Sequence, residues 1–198
     1  MGTLSLNIEM QGKRVVIIGG GRVARRKLAP LLATGALLTV VAPEICPEII
    51  AMGSSVPLTF HVRHFVDADL EGAFLAIATT SNSAVNAEVC AAARRNGTLI
   101  AMADNHLQGD CTFPALLTRK ELRIAVSTGG RCPTFAVHVR DIIGELIGEE
   151  YGDIVEQLAA EREKLLTNGS PSTYNGRVLQ SLASQLLCQH TEQKDSLT

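Results

Sequence analysis

The run KRVVIIGGGRVARRK at residues 13–27 narrows the possible folds more than any other part of the chain. Lys13 to Ile18 is a short, β-branched apolar run that reads as a strand buried on both faces. Gly19 to Gly21 then turn the chain into a helical pattern over Arg22 to Thr34, closed by Gly35. GGGRVA at 19–24 fits G-x-G-x-x-A, in which Gly19 allows the tight turn, Gly21 lets the backbone approach a pyrophosphate, and Ala24 packs helix on strand. The motif follows a buried strand and opens a helix whose first N–H groups point at phosphate, inside a βαβ unit of about thirty residues. Gly19, Gly20, Gly21, Arg22, Val23 and Ala24 are therefore the expected dinucleotide-binding loop. Pro30 is expected to kink the helix. Arg22, Arg25, Arg26 and Lys27 crowd its first turns, where a cation opposes the helix dipole by about 0.3–1 kcal/mol. Either a nearby anion offsets that cost, or this is a solvated face whose charges are screened.

Four further apolar runs, Leu37 to Ala42, Leu58 to Val62, Phe74 to Thr79 and Thr98 to Ala103, read as strands, with helices expected in every gap. That alternation predicts an α/β fold, a Rossmann-like doubly wound parallel sheet. The clearest helix runs from Ser83 to Arg95, with Ser81, Asn82 or Ser83 as N-cap, arginines in the last turn and Gly97 at the C-cap. Beyond Asp104 the pattern changes: Thr112 to Leu117 and Leu122 to Ser127 read as two strands separated by the polar stretch Thr118 to Glu121. Pro133 suits the first position of a helix reaching about Gly148. Tyr151 to Leu166 makes another helix, and Arg177 to Cys188 follows the loop at 168–176, with a frayed end from Gln189.

At 198 residues the chain fits one full domain with a smaller appendage, and 46% hydrophobic against 19% charged residues is ordinary globular composition. A net charge of −2 offers no footprint for nucleic acid or an anionic membrane surface. No apolar run approaches the roughly 18 residues of a membrane span, and the first residues carry no leader pattern, so a cytoplasmic chain is expected. Five cysteines, Cys46, Cys90, Cys111, Cys132 and Cys188, are scattered and never spaced C-x-x-C, so no disulfide framework or zinc site is expected. His61 and His64, three apart in a strand, point to opposite faces and cannot share a metal, and His106 reads as a surface residue.

Where a ribose-binding carboxylate is usual, at the tip of the second strand, the sequence places Pro43 and then Glu44. Either Glu44 or backbone groups reach the ribose, and the absence of Arg or Lys at this tip favours NAD over NADP, although Arg22 leaves the choice open. Thr79 and Thr80 end the fourth strand at the carboxyl edge of the sheet, either as contacts to the nicotinamide half or as plain loop residues. Asp104 directly follows the fifth strand at the same edge and is the leading catalytic candidate, the alternative being a turn cap. Removing a hydride from carbon leaves a proton to be taken, and a carboxylate desolvated against an apolar substrate suits that task. STGGRCP at 127–133 is either an anion-binding loop or a tight strand-to-helix turn.

Taken together, VVIIGGGRVARRK, LTVVAPE, LAIATTSNSAVN, MADN, TFPALL and IAVSTGGRCPTFA, in this order, closely resemble the siroheme-synthase dehydrogenase family, over nearly the whole chain. The resemblance implies a homodimeric, NAD-dependent oxidation of precorrin-2 to sirohydrochlorin, with Asp104 matching the family's essential aspartate. It also implies a dinucleotide domain over 1–112, a dimerisation region over 113–149 and a small helical domain over 150–198. Asn105, Ser127, Thr128, Gly129, Gly130 and Arg131 would face the substrate, with Thr128 standing where relatives often carry serine. Because a tetrapyrrole carries many carboxylates, Arg119, Lys120, Arg123, Arg131 and Arg140 are candidate partners, Arg131 first. The apolar stripe Phe135, Val139, Ile142, Ile143 and Leu146 is either a self-complementary interface or intrachain core. Some members also insert iron. Two other classes stay open: a regulator that binds NAD without turnover, and a chelatase with a vestigial dinucleotide site.

Overall fold

Five strands, β1 (Arg14–Ile18), β2 (Leu37–Val41), β3 (Leu58–His61), β4 (Leu75–Ala78) and β5 (Leu99–Met102), pair in parallel in the order β3-β2-β1-β4-β5. The computed structural model describes residues 3–54, 56–104, 107–168 and 180–187. The chain divides into two compact units, Met1–Phe113 and Pro114–Thr198. The first is the Rossmann-like sheet anticipated from the glycine motif, with helices α1 (Arg22–Leu28), α2 (Pro47–Met52) and α3 (Ser83–Asn96).

Strand periodicity sorts the apolar residues onto two faces. Val15, Ile17, Leu38, Val40, Leu75 and Ile77 pack with Ala24, Leu28 and Ile49 of α1 and α2. Val16, Ile18, Val41, Ala76, Ile100 and Met102 pack with Val89, Cys90, Ala92 and Ala93 of α3. Each fully buried Val or Ile contributes about 1.5–3 kcal/mol, which is why β1, buried on both faces, anchors the unit. Register sets the carboxyl edge: Ile18 lies opposite both Val41 and Ala78, and Ala78 opposite Met102, so the segments leaving β1, β2, β4 and β5 emerge side by side.

Three expectations for this unit need correction. The helix expected over Arg22 to Thr34 is α only to Leu28 and continues as a 3-10 helix over Ala29–Thr34. Pro30 has no N–H to donate to a carbonyl four residues back, and at the start of the 3-10 segment that loss costs nothing. Arg25, Arg26 and Lys27 consequently sit in the last turn of α1, where cations are favourable, so the dipole argument survives only for Arg22. Secondly, no α-helix joins β3 to β4, only a 3-10 turn over Asp67–Leu70. Thirdly, β3 stops at His61, so His64 lies outside it and the opposite-face argument for these two histidines does not apply.

The β3–β4 crossover is held by polar chemistry in place of a helix. Buried Asp69 accepts from both terminal nitrogens of Arg63 (2.8 and 2.6 Å) and from the Val66 N–H (2.9 Å). Arg14 donates to the carbonyls of Asp69 and Glu71. Burial pushes the Asp69 carboxyl up, but the Arg63 guanidinium, the Val66 N–H and His61 outweigh it and hold the group below its ordinary 3.8. The contribution is therefore complete above the unfolded value and disappears as pH falls through the lower folded one. Asp69→Asn is expected to cost about 1.5–3 kcal/mol at pH 7. In urea titrations the gap from wild type should shrink towards pH 3, and a gap that stayed constant would contradict the assignment.

The second unit pairs β6 (Ala115–Arg119) antiparallel with β7 (Leu122–Val126), followed by α4 (Pro133–Leu146) and α5 (Glu150–Asn168). β6 begins three residues later than expected because Cys111 is hydrogen-bonded to Ile100 and Pro114 offers no N–H. Thr118 and Arg119, read as a polar turn, belong to the strand, so the turn shrinks to Lys120 and Glu121, with Lys120 at φ 50. Lys120 Nζ bridges Asp153 (2.6 Å) and Glu156 (2.7 Å) of α5, which raises its pKa and clamps the turn. The helix expected from Arg177 is described over 180–187 only; Cys188 and the tail from Gln189 lie outside the described residues.

Candidate active site

The loop between β1 and α1 is shaped by its neighbours on the sheet edge. Gly19 has φ 121, and a Cβ there would lie 2.5 Å from Thr79 Oγ1. Its N–H donates to Val41 O (2.9 Å), locking the turn against the end of β2. Gly20 faces the segment leaving β2: a Cβ would sit 2.1 Å from Glu44 O, while Gly20 O accepts from the Cys46 N–H (2.8 Å). Around a Cβ built on Gly21 none of the described residues lies within 4 Å. Among the described residues no side chain caps the first turn of α1, whose N-cap is Gly21, whereas Asn82 Oδ1 caps α3 by accepting from Ala84 and Val85. An uncapped first turn beside open space at Gly21 is the cradle a diphosphate requires, so the residues present fit a dinucleotide.

Around this cradle, Ala24 is fully buried against the sheet, while Arg22, Arg25 and Arg26 are exposed and Val23 is 37% exposed. Lys27 is half-buried, its Nζ 4.6 Å from the Phe113 ring centroid, and burial lowers its pKa. Pro43 and Glu44 are both exposed at the tip of β2. Thr79 is a packing residue: its hydroxyl donates to Ile18 O (2.9 Å) and it stands against Gly19. Thr80 is joined to Asn86, as donor from both N–H (3.2 Å) and hydroxyl (2.7 Å) to Oδ1.

Asp104 stands two residues beyond β5, exposed, and its Oδ2 accepts from Asn86 Nδ2 (2.9 Å). Asn86, fully buried on α3, thus bonds both the Thr80 turn and the candidate catalytic carboxylate. Sequence reasoning passed over it. The available signal was a polar residue on the helix face shared with Val89, Cys90 and Ala93, all buried, where a polar group requires partners. Asn105 and His106 lie outside the described residues.

In the second unit, Gly129 (φ 61) and Gly130 (φ 78) make a left-handed turn ahead of α4. Ser127 Oγ accepts from the Gly129 N–H (3.2 Å), Thr128 Oγ1 from the Cys132 N–H (3.1 Å) and Thr128 O from the Arg131 N–H (3.2 Å). Three loop amides are therefore spent within the loop, which favours the tight turn over an anion nest. Among the candidate cations, Arg119 is committed to the carbonyls of Ile147 (2.9 Å) and Gly144 (3.2 Å), Lys120 to α5 and Arg140 to Asp141. Arg123 and Arg131 are exposed. Along α4, Phe135, Ile142 and Leu146 are exposed while Val139 and Ile143 are half-buried, so the stripe is only partly used within the chain. Among the described residues no three His, Cys, Asp or Glu side chains converge, and no helix is long and apolar enough to cross a membrane.

A family model described as putative NAD(P)-binding matches residues 6–115. The chain is 32% identical over 165 residues to the siroheme synthase of Photorhabdus laumondii, covering 83% of this chain and 35% of that protein. It is 35% identical over 164 residues to siroheme synthase 2 of Aeromonas salmonicida, covering 83% and 34%, and 36% identical over 162 residues to the Pseudomonas fluorescens siroheme synthase, covering 82% and 35%. The chain thus spans about a third of the length of the curated relatives it matches. Among solved structures, SirC, a precorrin-2 dehydrogenase, superposes with a TM-score of 0.76 at 24% identity, over 96% of this chain and all of that one.

Proposed function

Because the chain belongs to the putative NAD(P)-binding family, we propose that it is an NAD-dependent dehydrogenase that oxidises precorrin-2 to sirohydrochlorin. One observation carries the reading: an uncapped helix start with open space at Gly21 shares a sheet edge with a carboxylate that follows β5. The names of the siroheme synthases and of the SirC dehydrogenase supply the substrate class.

Main-chain groups of Gly19 to Ala24 would hold the diphosphate, with Pro43 and Glu44 beside the adenosine ribose and Thr79 and Thr80 shaping the nicotinamide end. When bound, NAD supplies a hydride acceptor. Asp104 takes the proton that leaves the substrate with the hydride, or holds the ring system so that solvent takes it. Glu44 at the β2 tip, with no cation there, disfavours a 2′-phosphate, hence NAD over NADP. In the second unit, exposed Arg131 ahead of α4 is the cation proposed to pair with a tetrapyrrole carboxylate. Residues 1–112 bind the dinucleotide, 113–149 join two copies through the exposed residues of the α4 stripe, and the third division, 150–198, contains α5.

Purified chain with precorrin-2 and NAD should generate NADH and sirohydrochlorin in equal amounts, and faster than the same reaction with NADP. Sedimentation of the same sample should report twice the chain mass. Dinucleotide binding without oxidation would replace this reading with a regulatory one.

A further inference from the structure

We infer that Asn86 is a positioning residue: it fixes the Asp104 carboxylate in one orientation and couples it to the turn that follows β4. The inference deepens the dehydrogenase reading and rests on the role given there to Asp104.

All four hydrogen-bonding positions of the buried amide are used. Oδ1 accepts from Thr80 N–H (3.2 Å) and Oγ1–H (2.7 Å), and Nδ2 donates to Thr80 O (3.0 Å) and Asp104 Oδ2 (2.9 Å). The backbone N–H of Thr80 is a donor only and its carbonyl an acceptor only, so the amide has one orientation, and the N–H left over has to meet the carboxylate. With Oδ2 engaged by Asn86, Oδ1 is the oxygen Asp104 presents to a substrate proton. The same face of α3 holds the rest of this segment. Four and eight residues on, Cys90 Sγ (3.6 Å) and Arg94 (3.3 Å) both reach Gln108 O. Residues 86, 90 and 94 thus grip the chain after β5 at Asp104 and at Gln108, and the first of these grips sets an angle that chemistry depends on. A donor to one oxygen also keeps the carboxylate from rotating, which matters because misplacement of a reacting group by about 1 Å costs on the order of 100-fold in rate.

Two measurements test this. The first needs no turnover: the side-chain amide of Asn86 is observed by 1H–15N spectroscopy in wild type and in Asp104→Ala. Its protons are expected to shift and to exchange with water at least tenfold faster in the variant; an amide signal indifferent to Asp104→Ala overturns the inference. The second uses Asn86→Asp, which keeps acceptors for the Thr80 N–H and hydroxyl, removes both amide donors, to Thr80 O and to Asp104, and sets a second carboxylate beside Asp104. We expect kcat for precorrin-2 oxidation to fall by about 100-fold, with the KM for NAD within twofold of wild type. Wild-type kcat in a folded Asn86→Asp overturns the inference, and if that variant fails to fold the amide measurement decides. A wild-type chain that oxidises nothing but retains the amide response removes the dehydrogenase reading and leaves the Asn86–Asp104 coupling in place.

Discussion

Gly20→Ala is expected to abolish measurable NAD binding and to lower stability by about 2–4 kcal/mol, combining overpacking with a weakened hydrogen bond. The added methyl group would stand 2.1 Å from Glu44 O and 2.8 Å from Ile45 Cα, both backbone atoms that no rotamer change relieves. Nor can the two segments separate freely, since Cys46 N–H donates to Gly20 O at 2.8 Å and Gly19 N–H to Val41 O at 2.9 Å. Whatever gives way, the amides that open α1 are displaced. Gly21→Ala makes the control, because its methyl group meets none of the described residues within 4 Å. That variant should unfold in urea within about 0.5 kcal/mol of wild type while losing affinity, since the methyl occupies the space meant for phosphate. Calorimetric titration with NAD and urea unfolding read both effects. Wild-type affinity in Gly20→Ala would show that the loop tolerates displacement and that the dinucleotide is held elsewhere.

The middle glycine also marks where sequence reasoning ends. G-x-G-x-x-A assigns no role to the second position, and only the return of residues 44–46 from β2 gives it one. Strands were legible because burial on both faces requires uninterrupted apolar runs, as in Val15 to Ile18. The ends of α3 were legible because Asn82 and Gly97 act locally. Tertiary partners were not. Arg119 looks like a turn residue until the carbonyls of Gly144 and Ile147 appear in front of its guanidinium. Thr79 reads as a ligand contact until Ile18 O takes its hydroxyl. Asp104 was found by its place after a strand, yet Asn86, eighteen residues earlier, has no local pattern tying it to that aspartate. Polar residues whose partners are distant in sequence are the ones a single chain conceals.

Asp104→Ala should lower kcat for precorrin-2 oxidation by a factor of 10² to 10⁴, the range a positioned general base supplies. Affinity for NAD should stay within about twofold, since among the described residues the side chain is hydrogen-bonded to Asn86 and not to the glycine loop. The companion variant Asp104→Asn separates two roles. An asparagine oxygen still accepts from Asn86 Nδ2, so the geometry at the end of β5 survives, but an amide cannot take up a proton. If Asp104 is the base, Asp104→Asn is as slow as Asp104→Ala. If it only orients the ring system, Asp104→Asn retains rate to the extent that its NH2, which stands where Oδ1 stood once the amide oxygen faces Asn86, can donate to a substrate acceptor. An Asp104→Ala variant at wild-type rate would remove the residue from the chemistry and, with it, the reason for the arrangement on α3 that holds it.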